Sequence, residues 1–338
     1  MLNNMNKSHI RLNKTTREWV IYAPNRGKRP QDFQQEDIVQ EKVESHSPNC
    51  PFCTGNEERL GGILLEKQNP ENTNWQVRVI PNRFPALTPD ENTDRKLEGI
   101  YLTMPGYGRH EVIIENADHS KDIPTMSIQE VETIIDTYHQ RYIELMEIDE
   151  SMMVIIFRNH GKKAGASLRH PHSQIIATSI VPQHRRWQEE EAQRYYDEFG
   201  RCLYCEILEF EKQHKKRVIE ENSSFLAFIP FAAKAPFEIW IMPKEHQGDF
   251  GSISEQEKSD FALILKNILT KLSEKLNDPD YNYVINTAAR YKAEEPQVHW
   301  YCLIEPRLTT QAGFEIASGI RINPSLPELD AEFLNATE

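Results

Sequence analysis

The chain carries an internal repeat, and this repeat constrains its fold more than any other feature. Each half contains a C-x-x-C pair of cysteines followed, much further along, by two histidines at matching positions. The two sets are Cys50, Cys53, His119 and His170 in the first half and Cys202, Cys205, His246 and His299 in the second. His246 follows His119 by 127 residues and His299 follows His170 by 129 residues. Near-equal spacing over such a length indicates a duplicated architecture.

Each set combines two thiols with two imidazoles, which is the ligand set of a structural tetrahedral zinc site. A lone C-x-x-C pair also suits a redox motif, and buried cysteines beside surface histidines are the simplest alternative. Two sets in register favour one joint explanation. The sequence therefore predicts two zinc ions per chain, although the second set also suits another metal.

Apolar strands alternate with amphipathic helices in the same order in both halves. Helices are predicted over 127–148 and 254–278, the latter opening with a Ser-x-x-Glu capping box, and an exposed linking helix over 183–200. Strands are predicted over 109–116, 151–159, 172–180, 236–243 and 299–306. These patterns predict an α+β fold of two tandem halves, 1–182 and 183–338, each an antiparallel sheet with packed helices.

The stretch GASLRHPHSQIIA, residues 165–177, places two histidines on one face of a predicted strand. The repeat separates their roles, because His170 corresponds to His299 whereas His172 corresponds to Tyr301. Gln174 likewise has no polar counterpart in the second half. His170 is therefore assigned to the metal set, and His172 is either a polar residue on a strand face or a reactive group.

A nucleophilic histidine needs a neutral ring with one nitrogen exposed and the other held by an acceptor such as a carbonyl oxygen. The preceding loop contains Gly161, Gly165 and Ser167, and such a loop either forms a simple turn or surrounds phosphate oxygens with N–H groups. Beside His172 and the neutral donor Gln174, it favours phosphoryl or nucleotidyl transfer.

The net charge and the distribution of apolar residues limit the classes of molecule that this chain is expected to bind. The net charge of −13 argues against a nucleic-acid backbone as the partner. No apolar run approaches the roughly 18 residues of a membrane span, and the N-terminus lacks an apolar signal region. We therefore expect a cytoplasmic enzyme with no membrane or nucleic-acid partner. The basic cluster RGKR, residues 26–29, still allows a small anionic ligand.

The His-Pro-His-Ser-Gln motif after Gly-Ala-Ser, with CPFC, RGKRP and PNRFPAL upstream, resembles the galactose-1-phosphate uridylyltransferase family, a branch of the histidine triad superfamily. The resemblance extends from residue 18 to residue 319. It implies a ping-pong reaction in which His172 attacks the α-phosphorus of a nucleotide sugar while Gln174 bonds the transferred phosphoryl group. It also implies zinc at the first Cys/His set and a homodimer.

The same resemblance implies contacts with the substrates. Asn82 matches a nucleotide-pocket residue, Asn159 and Ser167 match phosphate contacts, Arg26 and Arg29 match the sugar-phosphate end, and Phe314 and Glu315 match the hexose contacts.

Two features depart from the family pattern. The second metal set contains two cysteines, and the segment after Glu315 lacks a glutamine found in some uridylyltransferases. Both features are similar to plant-type ADP-glucose phosphorylases, which transfer AMP to phosphate. The leading prediction is transfer between UDP-glucose and galactose 1-phosphate, and the alternative is phosphorolysis of ADP-glucose. A nucleotide-binding histidine triad protein without turnover would not need His172 and Gln174. A zinc-redox or structural zinc protein would leave His172 and the RGKR cluster unexplained.

Overall fold

The computed structural model describes residues 7–24, 30–33, 43–69 and 74–336. The strands are β1 His9–Leu12, β2 Trp19–Tyr22, β3 Leu65–Gln68, β4 Trp75–Pro81, β5 Lys96–Glu98, β6 Tyr101–Thr103, β7 Gly108–Ile114, β8 Met153–His160, β9 His172–Thr178, β10 Val218–Glu221, β11 Phe225–Phe228, β12 Ile239–Pro243, β13 Tyr281–Asn286, β14 Tyr301–Pro306 and β15 Arg321–Asn323. The helices are α1 Ile128–Met146, α2 Gln183–Phe199, α3 Leu203–His214, α4 Glu255–Leu276, α5 Gly313–Ser318 and α6 Pro327–Asn335. None of the helices in these ranges is long and apolar enough to span a membrane.

Ten strands form a single sheet in the order β10-β11-β12-β14-β13-β8-β9-β7-β4-β3, and all of its pairs are antiparallel. The predicted α+β class is confirmed. The two sheet halves are continuous, because β8 of the first half pairs with β13 of the second. This pairing satisfies backbone groups that would otherwise lie at two exposed edges. It also places Asn282 directly opposite Asn159.

Helices α1 and α4 pack together on one face of this sheet. Each begins with a capping box: Ser127 pairs with Glu130, and Ser254 pairs with Glu257. A serine cap of this kind stabilises a helix by about 1 kcal/mol. The predicted apolar stripe of α1 is entirely buried, at Val131, Ile134, Ile135, Tyr138, Tyr142 and Leu145. The apolar periodicity therefore predicted the core face of this helix correctly.

The opposite face of the sheet differs between the halves. In the second half, α2 and α3 cover it, and Tyr204 and Leu208 pack against Phe228, Trp240 and other buried side chains. In the first half, the same face presents half-buried polar residues. These are His110 on β7, Asn159 on β8 and Gln174 on β9. A polar surface on this face is therefore a property of the first half.

Strands β1, β2 and β15 form a separate small sheet. Strand β15 runs parallel to β2, with Ile322 opposite Ile21, so the last part of the chain returns to the first. Strands β5 and β6 form an exposed hairpin of their own.

Candidate functional site

The first Cys/His set converges as the repeat predicted. The ligand atoms of Cys50, Cys53, His119 and His170 all lie within 4.8 Å of one another. Nδ1 of His170 lies 3.6 Å from each sulfur and 3.2 Å from Nδ1 of His119. Tetrahedral zinc with bonds of about 2.0–2.3 Å requires ligand separations of roughly 3.3–3.8 Å. The four residues therefore fit such a metal ion.

The ring of His170 is oriented for this role. Its Nε2–H donates to the carbonyl oxygen of Asn116 over 2.7 Å, which leaves the Nδ1 lone pair directed at the cysteines. A carbonyl that holds the distal nitrogen in this way fixes the tautomer of a metal-binding histidine. Burial lowers the pKa of His170 to about 4, so the ring is neutral at pH 7.

The second set reproduces this arrangement. Cys202, Cys205, His246 and His299 also bring their ligand atoms within 4.8 Å of one another. The rings of His246 and His299 are 5.3 Å apart at 88°, compared with 5.1 Å and 88° for their counterparts in the first set. Nε2–H of His299 donates to the carbonyl of Pro243, which follows Asn116 by 127 residues. The repeat therefore extends to the hydrogen bond behind the metal-facing ring.

His172 is set apart from the metal cluster by its hydrogen bond. Its Nδ1–H donates to the carbonyl of His170 over 2.8 Å, so Nε2 is the nitrogen that carries the lone pair. The ring of Phe52 packs edge-on against it at 5.4 Å. Burial lowers the pKa of His172, which favours the neutral ring. A neutral ring with Nδ1 held by a carbonyl and a lone pair on Nε2 is the state that a nucleophilic histidine needs.

In the second half, Tyr301 occupies the position that corresponds to His172. Tyr301 is buried beneath α2, where Gln188 donates to its hydroxyl over 3.2 Å and Trp240 stacks on its ring at 4.4 Å. The equivalent of the His172 site is therefore filled with side chains.

Gln174 lies on the same face as His172 and is held by two residues. Nε2 of His110 lies 2.7 Å from Gln174 Oε1, and Nδ2 of Asn82 donates to the same oxygen over 3.4 Å. Sequence reasoning singled out Asn82 but missed His110. The period of β7 indicates which face of the strand carries His110, but it does not indicate that Gln174 lies beside it.

Asn159 and the loop after it join the site to the second half. Nδ2 of Asn282 donates to Asn159 Oδ1 over 2.7 Å and to the carbonyl of Ala164 over 2.9 Å. Asn282 had no assigned role in the sequence, because nothing local indicates which strand lies beside β8.

The loop glycines have geometric roles. Gly161 has φ +81° and Gly165 has φ +90°, and a Cβ on Gly161 would lie 2.2 Å from an oxygen of Asp280. Backbone N–H groups of Lys163, Gly165 and Ala166 donate to acceptors within the protein. The side chains of Lys162 and Lys163 are exposed and form no ion pair among the described residues, and Ser167 is also exposed.

The remaining predicted residues lie away from His172 or outside the described ranges. Arg26 and Arg29 lie outside the described residues. Glu315 accepts from the backbone N–H groups of Ala312 and Ile322, and Phe314 beside it is half-exposed. Both line a cavity of about 500 Å³ formed with β2 and β15. No described contact brings these two side chains to His172.

A third cluster of metal-ligand residue types lies at the end of β8, but an ion-pair network explains it. The ring nitrogens of His160 lie 2.8 Å from Asp122 and 3.1 Å from Asp278. Arg158, which is fully buried, donates to Asp122 over 2.6 Å and to Glu115 over 2.9 Å. Cations of the protein therefore already neutralise these carboxylates.

We expect this network to give the stability of the protein a distinct dependence on pH. Burial opposes the charged ring, but the carboxylates of Asp122 and Asp278 outweigh it and raise the pKa of His160 from 6.5 to about 9. The imidazolium therefore stabilises the fold fully below pH 6.5, and this contribution is lost as the pH rises through about 9. A shift of this size corresponds to about 3 kcal/mol.

The measurement is the free energy of unfolding at pH 6 and pH 9.5 for the protein and for His160→Gln. The decline between these two values should be smaller in the variant by about 2–3 kcal/mol. Equal declines in both proteins would show that His160 is not held as an imidazolium.

The fold and the site together define a class: a duplicated α+β protein whose two halves share a Cys/His cluster that fits a metal ion, while one half retains a histidine with the geometry of a nucleophile. The family model for the N-terminal domain of galactose-1-phosphate uridyl transferase matches residues 1–182, and that for the C-terminal domain matches residues 188–316. The chain therefore belongs to the galactose-1-phosphate uridylyltransferase family, and the activity of its class is nucleotidyl transfer.

Individual relatives cover almost the whole chain. The ADP-glucose phosphorylase of Arabidopsis thaliana is 36% identical over 323 residues, covering 94% of this chain and 90% of the relative. The galactose-1-phosphate uridylyltransferase of Thermotoga maritima is 30% identical over 339 residues, covering 97% and 98%. The crystal structure of the Arabidopsis thaliana phosphorylase with bound ADP-glucose matches with a TM-score of 0.82 at 32% identity, over 98% of this chain and 100% of that one. A uridylyltransferase structure matches with a TM-score of 0.74 at 25% identity, over 97% of both chains.

Proposed function

We propose that the chain transfers a nucleotidyl group from a nucleotide sugar to a phosphate-bearing acceptor through a covalent intermediate on His172. The observation that carries this proposal is the hydrogen bond from His172 Nδ1–H to the carbonyl of His170. It fixes the tautomer in which Nε2 holds the lone pair, and it strengthens that nitrogen as a nucleophile.

In the first step, the Nε2 lone pair attacks the α-phosphorus, and the bond from that phosphorus to the bridging oxygen of the sugar phosphate breaks. Hexose 1-phosphate leaves with the bonding electrons, and the nucleotidyl group remains on His172. In the second step, an acceptor phosphate oxygen attacks the same phosphorus and the P–N bond breaks. Gln174 and Asn159 supply amide donors to the oxygens on which charge increases.

Zinc is the metal that the ligand chemistry of both Cys/His sets supports, with two ions per chain. At the first set it would hold Cys50, Cys53, His119 and His170 together, and so fix the backbone carbonyl of His170. Its chemistry there is structural, since all four protein ligands are used. We further propose a homodimer, as the family resemblance implies, which light scattering of the purified protein would test.

Two substrate pairs fit this chemistry. The HPHSQ motif and the family assignment support UDP-glucose with galactose 1-phosphate. The greater similarity to an ADP-glucose phosphorylase supports ADP-glucose with inorganic phosphate, both in identity and in TM-score.

Intact mass spectrometry separates the two substrate pairs. The protein is incubated with UDP-glucose or with ADP-glucose, and the mass is measured after rapid quenching. We expect one added uridylyl or adenylyl group per chain with one of these substrates. Adding galactose 1-phosphate should discharge a uridylyl adduct, and adding phosphate should discharge an adenylyl adduct. Binding of either nucleotide sugar without any adduct or turnover would instead indicate the non-catalytic nucleotide-binding protein.

A further inference from the structure

Two side-chain amides flank His172 on neighbouring strands, Gln174 on β9 and Asn159 on β8. An amide can present either its oxygen or its NH2 group to a ligand, and only NH2 can bind a phosphate oxygen. Which end faces the ligand depends on what holds the other end. The hydrogen bonds around both residues decide which end faces the ligand. Each network of hydrogen bonds includes a backbone N–H, which can only donate, or a backbone carbonyl, which can only accept.

The orientation of Gln174 follows from the backbone of Ala86. The N–H of Ala86 donates to Nδ1 of His110 over 3.1 Å, so this nitrogen carries no hydrogen. The neutral ring therefore carries its hydrogen on Nε2, and this N–H donates to Gln174 over 2.7 Å. The atom of Gln174 that faces His110 must be an acceptor, namely Oε1.

Asn82 agrees with this orientation. Its Oδ1 accepts from the N–H of Phe84 over 2.9 Å, so its Nδ2 faces the other two side chains, 3.1 Å from Nε2 of His110 and 3.4 Å from Oε1 of Gln174. Because Nε2 of His110 carries a hydrogen, the acceptor for Nδ2 is Oε1 of Gln174. Two donors therefore converge on Gln174 Oε1. The NH2 group of Gln174 has no acceptor among the described residues.

The orientation of Asn159 follows in the same way from the second half of the chain. Nδ2 of Asn282 donates to the carbonyl of Ala164, and Oδ1 of Asn282 accepts from Nε of Arg307. The atom of Asn159 that faces Asn282 Nδ2 must therefore be Oδ1. The NH2 group of Asn159 likewise has no acceptor within the described ranges.

We propose that His110 and Asn282 are positioning residues that hold Gln174 and Asn159 with their NH2 groups toward the transferred phosphoryl group. Each donates to the amide oxygen of its partner, so both amides present N–H donors to the phosphate oxygens and turn their own lone pairs away from them. This inference rests on the proposed function for its catalytic consequence. It also gives the second half, which lacks a nucleophile, a part in the site.

His110→Leu tests this assignment, because leucine fills a similar space without an N–H donor. At saturating nucleotide sugar, formation of the adduct should slow by about 10- to 100-fold, since one oriented donor at a developing charge contributes about that much or more. His110→Gln restores a donor and should recover most of the rate. His139→Leu, which removes another half-buried histidine with a hydrogen bond away from the site, should leave the rate unchanged.

A double-mutant cycle separates positioning from a general structural effect. In a Gln174→Leu background, His110→Leu should change the rate by less than about 2-fold, because the residue through which it acts is gone. An equal loss in both backgrounds, or no loss in the first, would overturn the assignment. Asn282→Leu and Asn159→Leu should show the same coupling.

Binding of UMP and AMP by calorimetry provides a readout that does not require catalysis. For whichever nucleotide binds, His110→Leu should weaken binding of the monophosphate by about 10-fold and leave binding of the corresponding nucleoside unchanged. In the Gln174→Leu background, His110→Leu should cause no further loss of monophosphate affinity. If the protein forms no adduct but shows this coupling, the proposed function fails and the positioning assignment stands. Additive losses in monophosphate binding would overturn the assignment itself.

Discussion

His172→Gly should abolish nucleotidyl transfer, with a loss on the order of 10⁴-fold or more, because it removes the group that forms the covalent intermediate. The effect should appear in the rate of adduct formation and in steady-state turnover alike. Affinity for the nucleotide sugar should change far less, since Gln174, Asn159 and Asn82 remain in place. The measurements are quenched-flow detection of the adduct and calorimetric binding of the substrate.

The fold should survive this substitution. Among the described residues the side chain of His172 makes one hydrogen bond, to the carbonyl of His170, and His172 is not a member of the Cys/His cluster. Metal content and melting temperature should therefore stay close to those of the unmodified protein. Retention of more than about 1% of the turnover by a folded, metal-loaded variant would contradict the assigned nucleophile.

The second large effect concerns the two Cys/His clusters proposed to bind zinc, which should differ in their influence on activity. Cys53→Ser should remove about one metal ion per chain, lower the melting temperature by roughly 10 °C, and strongly reduce turnover. Activity should fall because the displaced His170 carries both a metal-facing nitrogen and the carbonyl that holds His172.

Cys205→Ser is the matched control in the second half. It should also remove about one metal ion and destabilise the fold by a similar amount. Turnover of the folded protein should nevertheless remain within a few-fold of normal, because Tyr301 occupies the position that corresponds to His172. Metal analysis, melting curves and assays below the lower melting temperature check both variants. Equal losses of turnover in the two variants would show that the clusters do not differ in this way.

Much of the site could be predicted from the sequence, because the positions of its Cys and His residues repeat at a nearly constant interval. The repeat brought the eight Cys and His residues into two sets, and the structure places both sets as predicted. It also separated His170 from His172, since only one of them has a counterpart in the second half. The helix bearing Ser127 and Glu130 was legible from its cap and its apolar period.

The parts that sequence reasoning missed depend on contacts between distant strands. The period of a strand tells which face a side chain occupies, but it does not tell which strand lies beside it. His110 reaches Gln174 because β7 pairs with β9, and Asn282 reaches Asn159 because β13 pairs with β8. The expectation that loop N–H groups surround a phosphate group stays a prediction, and in the structure the N–H groups of Lys163, Gly165 and Ala166 donate within the protein. Asp280 and the carbonyls of the loop itself take those donors.

The most direct test of the central claim is to locate the adduct within the chain. After reaction with the nucleotide sugar that labels the protein, digestion with trypsin under neutral to alkaline conditions should yield a peptide covering residues 170–185. This peptide contains three histidines, His170, His172 and His184. Fragmentation should place the nucleotidyl group on His172. A nucleotidyl group on any other residue, or turnover with no covalent adduct at any time point, would contradict the account.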